Sequence, residues 1–280
     1  MPSQTVCETS VGRKPRVAFF AALPWEYGAF RRSLGPWKGF STKPFKGFSL
    51  STEDKELLLV ETGMGKAMVE TALNWAFWAW HPHVLVSFGF AGGLNRSVRV
   101  GDIFLCSELS CFDSNVRTMA RVRYRMEPHP EILAFCRAHG ATAARCITTL
   151  HLEPKGFLPT HPDDVPELVD MESHFAAMFA NEHRIPLLCF RAVSDAHNQK
   201  LGFDLTEVSD ARGHVDPWVV CRTILRNPAV IQAFMASWRR SHRAERNLAR
   251  LLTAFANLPA SRIRAILGPG VSWPEAQLDP

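Results

Sequence analysis

Apolar and polar positions alternate between two periods along this chain, and the switches mark its elements. Arg16 to Ala22, apolar from Val17 onward, predicts a first strand, with a helix over Trp25 to Leu34. Phe45 to Ser51 and Leu57 to Glu61 predict paired strands. Lys66 to Trp80 has helical spacing and stops before Pro82. Val84 to Phe88 reads as a buried strand running into a glycine-rich loop, and Ile103 to Ser107 as another strand. Asp113 to Pro130 is basic and irregular, a loop expected beside an active site. Glu131 to His139 predicts a helix and Ala144 to Leu150 a strand. Met171, Phe175, Met178 and Phe179 recur at helical spacing with Glu172 in the first turn. Pro186 then separates that helix from the apolar strand Leu187 to Val193.

Strands and helices thus alternate, which predicts an α/β class with a mixed central sheet flanked by helices. Ligands of such sheets bind beyond the carboxyl ends of strands, where Arg191, Ser194 and Asp195 lie. After Gln199 the pattern becomes purely helical. Pro217 to Arg226 and Ala229 to Asn257 predict two helices divided at Asn227-Pro228. The division expected is a loose lead over 1–14, a body over 15–205 and a basic helical extension over 206–280.

Charge sharpens that division. From Asp210 onward there are ten Arg, no Lys and five acidic residues, which carry the whole formal net charge of +5. Two apolar stripes, Ile231/Phe234/Met235/Trp238 and Leu248/Leu251/Leu252/Phe255, flank Arg239, Arg240, Arg243, Arg246 and Arg250. The alternatives are a helix packed on the body with a solvated basic face, or a basic amphipathic helix on an anionic membrane surface. No aromatic-basic interleaving supports nucleic-acid binding. The aromatic helix residues Trp75, Phe77, Trp78 and Trp80 point to a buried or subunit-facing surface.

The hydrophobic share of 46% and the charged share of 21% are those of a globular protein. Seven cysteines, odd in number and without a CxxC pair, favour reduced thiols and a cytoplasmic setting over a disulfide framework. The histidines show no metal-ligand spacing, so no metal is expected. No apolar run approaches the ~18 residues of a membrane span, and the first residues lack the apolar segment of a signal peptide.

Four segments carry a more specific signal: AALPWE (Ala21–Glu26), ETGMGK (Glu61–Lys66), GFAGGLNRSVRVGD (Gly89–Asp102), and Met171-Glu172 followed by Arg191-Ala192-Val193-Ser194-Asp195. In this order they resemble the nucleoside phosphorylase/nucleosidase superfamily, over roughly residues 16 to 200. The resemblance implies cleavage of the N-ribosyl bond of a purine nucleoside with no cofactor, phosphate being a possible co-substrate. It implies that Asp195 protonates the departing base and that Glu26 activates water in the hydrolytic branch. It further implies a nucleoside site built from Glu172, Met171, Arg191, Ser194, Phe90, Ala91, Gly92 and Gly65, on a chain expected to form a homodimer. Read from the residues alone, Asp195 could equally cap a turn, Glu172 and Glu26 could serve helix starts, and Arg191 could pair with a core carboxylate. Ser87 stands where many phosphorylases carry an arginine, which favours the nucleosidase branch. Arg31, Arg32 and Arg191 remain as possible phosphate ligands.

Val-Asp-Met-Glu-Ser-His and the tail are also similar to hopanoid-associated nucleoside phosphorylases, which implies adenosylhopane as substrate and peripheral contact with the inner membrane. Methylthioadenosine or S-adenosylhomocysteine is the alternative substrate, and a non-catalytic nucleoside-binding relative the alternative class.

Overall fold

The computed structural model describes residues 14–42, 44–113, 118–119, 124–150, 155–159, 165–197 and 228–268. The lead before residue 14 and the predicted helix Pro217 to Arg226 lie outside them.

β1 (Arg16–Ala21) is followed by α1 (Pro24–Ser33), then by the antiparallel β2 (Lys38–Thr42), β3 (Phe45–Ser51) and β4 (Glu56–Glu61). α2 (Lys66–Trp80) leads to β5 (Val84–Gly93) and β6 (Ile103–Asp113). β7 (Thr118–Met119) and β8 (Tyr124–Arg125) pair with β6. α3 (Pro130–Ala138), β9 (Ala141–Thr149), β10 (Glu167–Asp170), α4 (Ser173–His183) and β11 (Leu187–Asp195) complete the body. α5 (Pro228–Ala256) and α6 (Ala260–Leu267) follow.

The described strands form one mixed sheet in the order β10-β9-β6-β11-β5-β1-β4-β3-β2. β10 also pairs with β5, through Leu168↔Gly93 and Val169↔Gly92. The strands β5, β11, β6, β9 and β10 therefore close into a ring at one side of the sheet.

β1 shows why the sheet is covered on both faces. Val17, Phe19 and Ala21 point into a cluster with Phe30, Phe88, Phe190 and Phe255. Ala18 and Phe20 point into a second cluster with Leu73, Phe175 and Phe179. Alternate residues of one strand thus feed two layers, α1 and α5 on one face and α2 and α4 on the other.

The segment that charge set apart shares this core. Leu248, Leu251, Leu252 and Phe255 are buried among β1, β5 and β11, so the second apolar stripe packs on the body. Truncating a fully buried phenylalanine such as Phe255 costs about 3–5 kcal/mol. Arg243, Arg246 and Arg250 face outward, while the side chains of Ile231, Phe234, Met235, Trp238, Arg239 and Arg240 lie outside the described residues. Among the described residues no helix is long and apolar enough to cross a membrane.

Two expectations are corrected. The glycine-rich segment Gly89–Gly93 is strand, not loop: β5 runs through it and pairs with β11 and β10. Asp113 to Pro130 is not wholly irregular, since β7 and β8 extend the pairing of β6.

Candidate functional site

The carboxyl ends of β1, β4, β5 and β11 converge with the starts of α1 and α4. This is where the sequence motifs meet.

Glu26 comes from the first turn of α1, whose first residue is Pro24. Its carboxylate is buried and accepts from Leu23 N at 2.9 Å through Oε2, half of a capping box. Oε1 accepts from Phe90 N at 2.8 Å, which ties α1 to β5. Gly89 makes this approach possible. A Cβ at Gly89 would lie 2.6 Å from Glu26 Oε1 and 3.0 Å from its Cδ. Burial pushes the Glu26 carboxyl up, against the lowering pull of the Phe90 and Leu23 amides and the Arg191 charge.

Glu172 sits at the N-cap of α4, directly after β10. Its Oε1 accepts from Gly65 N at 2.9 Å, joining two motifs far apart in the chain. Gly65 has φ +82°, a conformation that suits glycine. The Glu172 carboxyl keeps partial access to the cleft. Desolvation, then the charges of Asp170 and Glu26, push it up to about 8 against the opposing charge of Arg191. Met171 stands beside it, half-buried, at the bend between β10 and α4.

This shift has a consequence for stability. Between an ordinary value of 4.5 and about 8, the folded protein holds a proton on Glu172 that the unfolded chain has released. The resulting stabilisation is full below the lower value and is lost as pH rises through the upper one. Glu172→Gln should therefore flatten the fall in urea midpoint between pH 5 and 8.5 relative to the parent. Parallel slopes would show that Glu172 titrates normally.

Asp195 ends β11. The β11–β5 register slips between Val193 and Asp195, so Ser194 is the extra residue of a bulge. Ser194 Oγ donates to Asp195 Oδ1 at 2.7 Å and lies 3.4 Å from the carbonyl of the buried Ala91. The ammonium of Lys155 pairs with Asp195 Oδ2. Lys155 and Asp195 pack over Gly92, while Phe90 contributes its amide to the site and its ring to the core on the α1/α5 side.

Arg191 is fully buried and adopts the core-pairing alternative. Its Nε donates to Asp170 Oδ2 at 2.7 Å, one terminal nitrogen to Ser87 Oγ at 3.0 Å and the other to Phe190 O at 3.0 Å. Asp170 is held further by Thr148 and Ser173. Arg191 thus borders the cleft as a fixed cation facing Glu26 and Glu172, and none of the described contacts join it to Asp195. The other arginines considered for phosphate are engaged elsewhere. Arg32 contacts Glu245 at 3.4 Å, and Arg31 lies over the Phe48 ring at 4.6 Å.

Between Glu26, Ser87, Gly89, Glu172 and Arg191 lies a void of about 10 Å³, close to the smallest that holds one water. A much wider cleft of about 900 Å³ opens elsewhere, among Phe77, His83, Tyr124 and Pro186, and contains none of these groups. Sequence reasoning missed Lys155 and Asp170. Asp170 left a trace, since a strand-borne arginine needs a buried anion. Lys155 left none.

Residues 16–156 match the family model of the Phosphorylase superfamily. The chain belongs to this superfamily. A 5′-methylthioadenosine/S-adenosylhomocysteine nucleosidase of Listeria monocytogenes (serotype 4a, strain HCC23) is 28% identical over 178 residues, 54% of this chain and 74% of that protein. The nucleosidase of the same description from Staphylococcus saprophyticus is 30% identical over 81 residues, 29% of this chain, which spans about a third (34%) of that relative's length. Among solved structures, the Neisseria meningitidis nucleosidase in complex with methylthio-immucillin-A superposes with a TM-score of 0.62 at 16% identity. It covers 85% of this chain and 96% of its own, which shows that the superfamily fold is shared. Both relatives are described as nucleosidases.

Proposed function

We propose that the protein hydrolyses the N-ribosyl bond of a 5′-substituted adenosine and releases adenine. The observation that carries this is the placing of Glu26 and Glu172 around a one-water void, with Asp195 on the adjacent strand end. As the C1′–N9 bond breaks, its electron pair leaves with the purine, and Asp195, having first taken up a proton from solvent, passes that proton to N7. Water attacks C1′ and gives its proton to Glu26. The carboxylate of Glu26 also favours positive charge on the sugar, and Glu172 is placed to bond the ribose hydroxyls.

Water suits this site better than phosphate. Arg191 already donates to Asp170, Ser87 and Phe190, so its guanidinium is committed to the core and not free for phosphate. Adenine release from methylthioadenosine should proceed at the same rate in phosphate-free buffer as in phosphate, with free 5-methylthioribose as the second product. A strict phosphate requirement with a sugar 1-phosphate product would overturn the hydrolytic reading. A protein that binds the nucleoside without releasing adenine would belong to the non-catalytic class.

Methylthioadenosine and S-adenosylhomocysteine lead as substrates because the relatives are named for them. An adenosylhopane-type nucleoside is the second reading, supported by the outward row Arg243, Arg246 and Arg250. Against it, Leu248, Leu251, Leu252 and Phe255 are spent in the core and offer no apolar face to a bilayer. Sedimentation with anionic vesicles at low salt, together with faster turnover of a lipid-linked adenosine, would favour the second reading. The proposal includes a homodimer, for which the exposed Trp78 (68%) on α2 is the support, and a cytoplasmic setting, for which the free buried thiols speak.

A further inference from the structure

We propose that Lys155 is a positioning residue for the leaving base, acting through Asp195: it orients that carboxylate and sets a cation at the base end of the cleft. The inference rests on the reading of Asp195 as the group at purine N7.

Lys155 opens a single 3-10 turn, Lys155–Phe157, between β9 and β10. Its ammonium pairs with Asp195 Oδ2 and donates to Asp195 O at 3.2 Å and to Ala196 O at 2.8 Å. An ammonium has three donors, and all three are placed on the end of β11. The pair is largely withdrawn from water, with the side chains 16% and 11% exposed. Burying a charge is costly unless it is paired, so Lys155 is held where its partner is.

The backbone it grips follows the bulge at Ser194, where the ladder resumes with Asp195↔Gly92. Two side chains hold the carboxylate there, Ser194 on Oδ1 and Lys155 on Oδ2. Gly92 completes the arrangement. A Cβ there would lie 2.9 Å from Lys155 Cε, 3.0 Å from its Nζ and 3.0 Å from Asp195 Oδ2. This glycine of the Ala-Gly-Gly run is therefore required by the Lys155–Asp195 pair itself.

The layout of charge matches the reaction. When the N-glycosidic bond breaks, the ribosyl group becomes positive and the purine negative. Glu26, ionised when it acts as the base, lies at the sugar end, and Lys155 puts a cation at the base end. Fixed charges of these signs favour the transition state over the ground state without reorganisation.

Lys155→Ala should lower kcat by about 10–100-fold, the scale of one hydrogen bond to a charged group lost from the transition state, with KM changed less than about threefold. Propylammonium, which replaces the deleted atoms, should restore activity saturably, whereas propanol should not. Lys155→Met keeps the stem and covers the case in which alanine loosens the turn. It should be as slow as alanine, with the parent's circular dichroism and Tm. Parent-like kcat in either variant would overturn the proposal. So would a loss that propanol relieves as well as propylammonium, or that neither relieves, since Lys155 would then act only in packing. Asp195→Asn separates the two readings. If that variant keeps parent turnover, the N7 reading itself falls. If it is inactive while Lys155→Ala is fully active, only the present inference falls.

Discussion

Asp195→Asn is expected to lower kcat for adenine release by about 10²–10⁴-fold while leaving the nucleoside Kd within about tenfold of the parent. The amide keeps the shape of the carboxyl but cannot deliver an acidic proton to N7. Its oxygen can still accept from Ser194 Oγ, which bonds Oδ1 at 2.7 Å in the parent. The other position changes more. An amide nitrogen facing the Lys155 ammonium sets donor against donor, so the clamp on Oδ2 should open. Single-turnover adenine release together with equilibrium binding of a non-cleavable analogue separates chemistry from affinity. Parent-like turnover would remove Asp195 from the reaction. A loss confined to binding would make it a purine ligand only.

The parts of this fold that were legible in the sequence are those marked by local chemistry. α2 was expected over Lys66 to Trp80 and occupies those residues, because Gly65 starts it and His81, in a left-handed conformation before Pro82, stops it. β3 was equally plain, with Phe45, Phe48 and Leu50 set among polar residues and glycine. β10 is only four residues long and is defined by its neighbours β9 and β5, so no periodicity announces it. α6 is short and follows Pro259, and its Ile263 and Ile266 find their partners only in the folded core. The glycines of Gly89–Gly93 read as a loop because sequence shows their freedom and not its cause. Here they are strand residues stripped of side chains so that Glu26 and the Lys155–Asp195 pair can lie against them. The tail's second stripe was visible as a pattern, but its burial against β11 and α1 depends on contacts across the whole chain.

The site divides along the same line. Glu26, Glu172 and Asp195 stand out because each lies in a segment that resembles a family motif. Lys155 stands in a Pro/Gly segment, where a lysine ordinarily faces water. Its partner is 40 residues away. Arg191 was visible, but its allegiance was open. The choice fell to Asp170, which sits across the cleft floor at 2.7 Å and is itself bonded by Thr148 and Ser173.

Glu26→Gln should be the second severe lesion, lowering kcat for hydrolysis by about 10²–10⁴-fold, the usual contribution of a positioned general base. A base must be ionised to accept the water's proton, and burial makes this carboxyl hold its own proton to higher pH than usual. The parent's rate should therefore fall on the acid side as Glu26 takes up a proton, and that limb should vanish in the glutamine variant. A stability cost accompanies the change. Leu23 N and Phe90 N each point at one carboxylate oxygen, and glutamine offers an oxygen to only one of them. The other buried donor is left facing an NH₂ group, at a cost of about 1–3 kcal/mol. The fall in Tm that this implies must be recorded beside the rate, so that chemistry and folding are not confused. Gly89→Ala supplies the independent check. Its new Cβ would stand 2.6 Å from Glu26 Oε1, with the β5 backbone fixed by pairing to β11, so the carboxylate must move. If Glu26 activates water, Gly89→Ala should slow adenine release although residue 26 is still glutamate. Parent-like kcat in Glu26→Gln would leave Glu26 as a cap for α1 and a brace for β5, and would return the choice of nucleophile to groups outside this void.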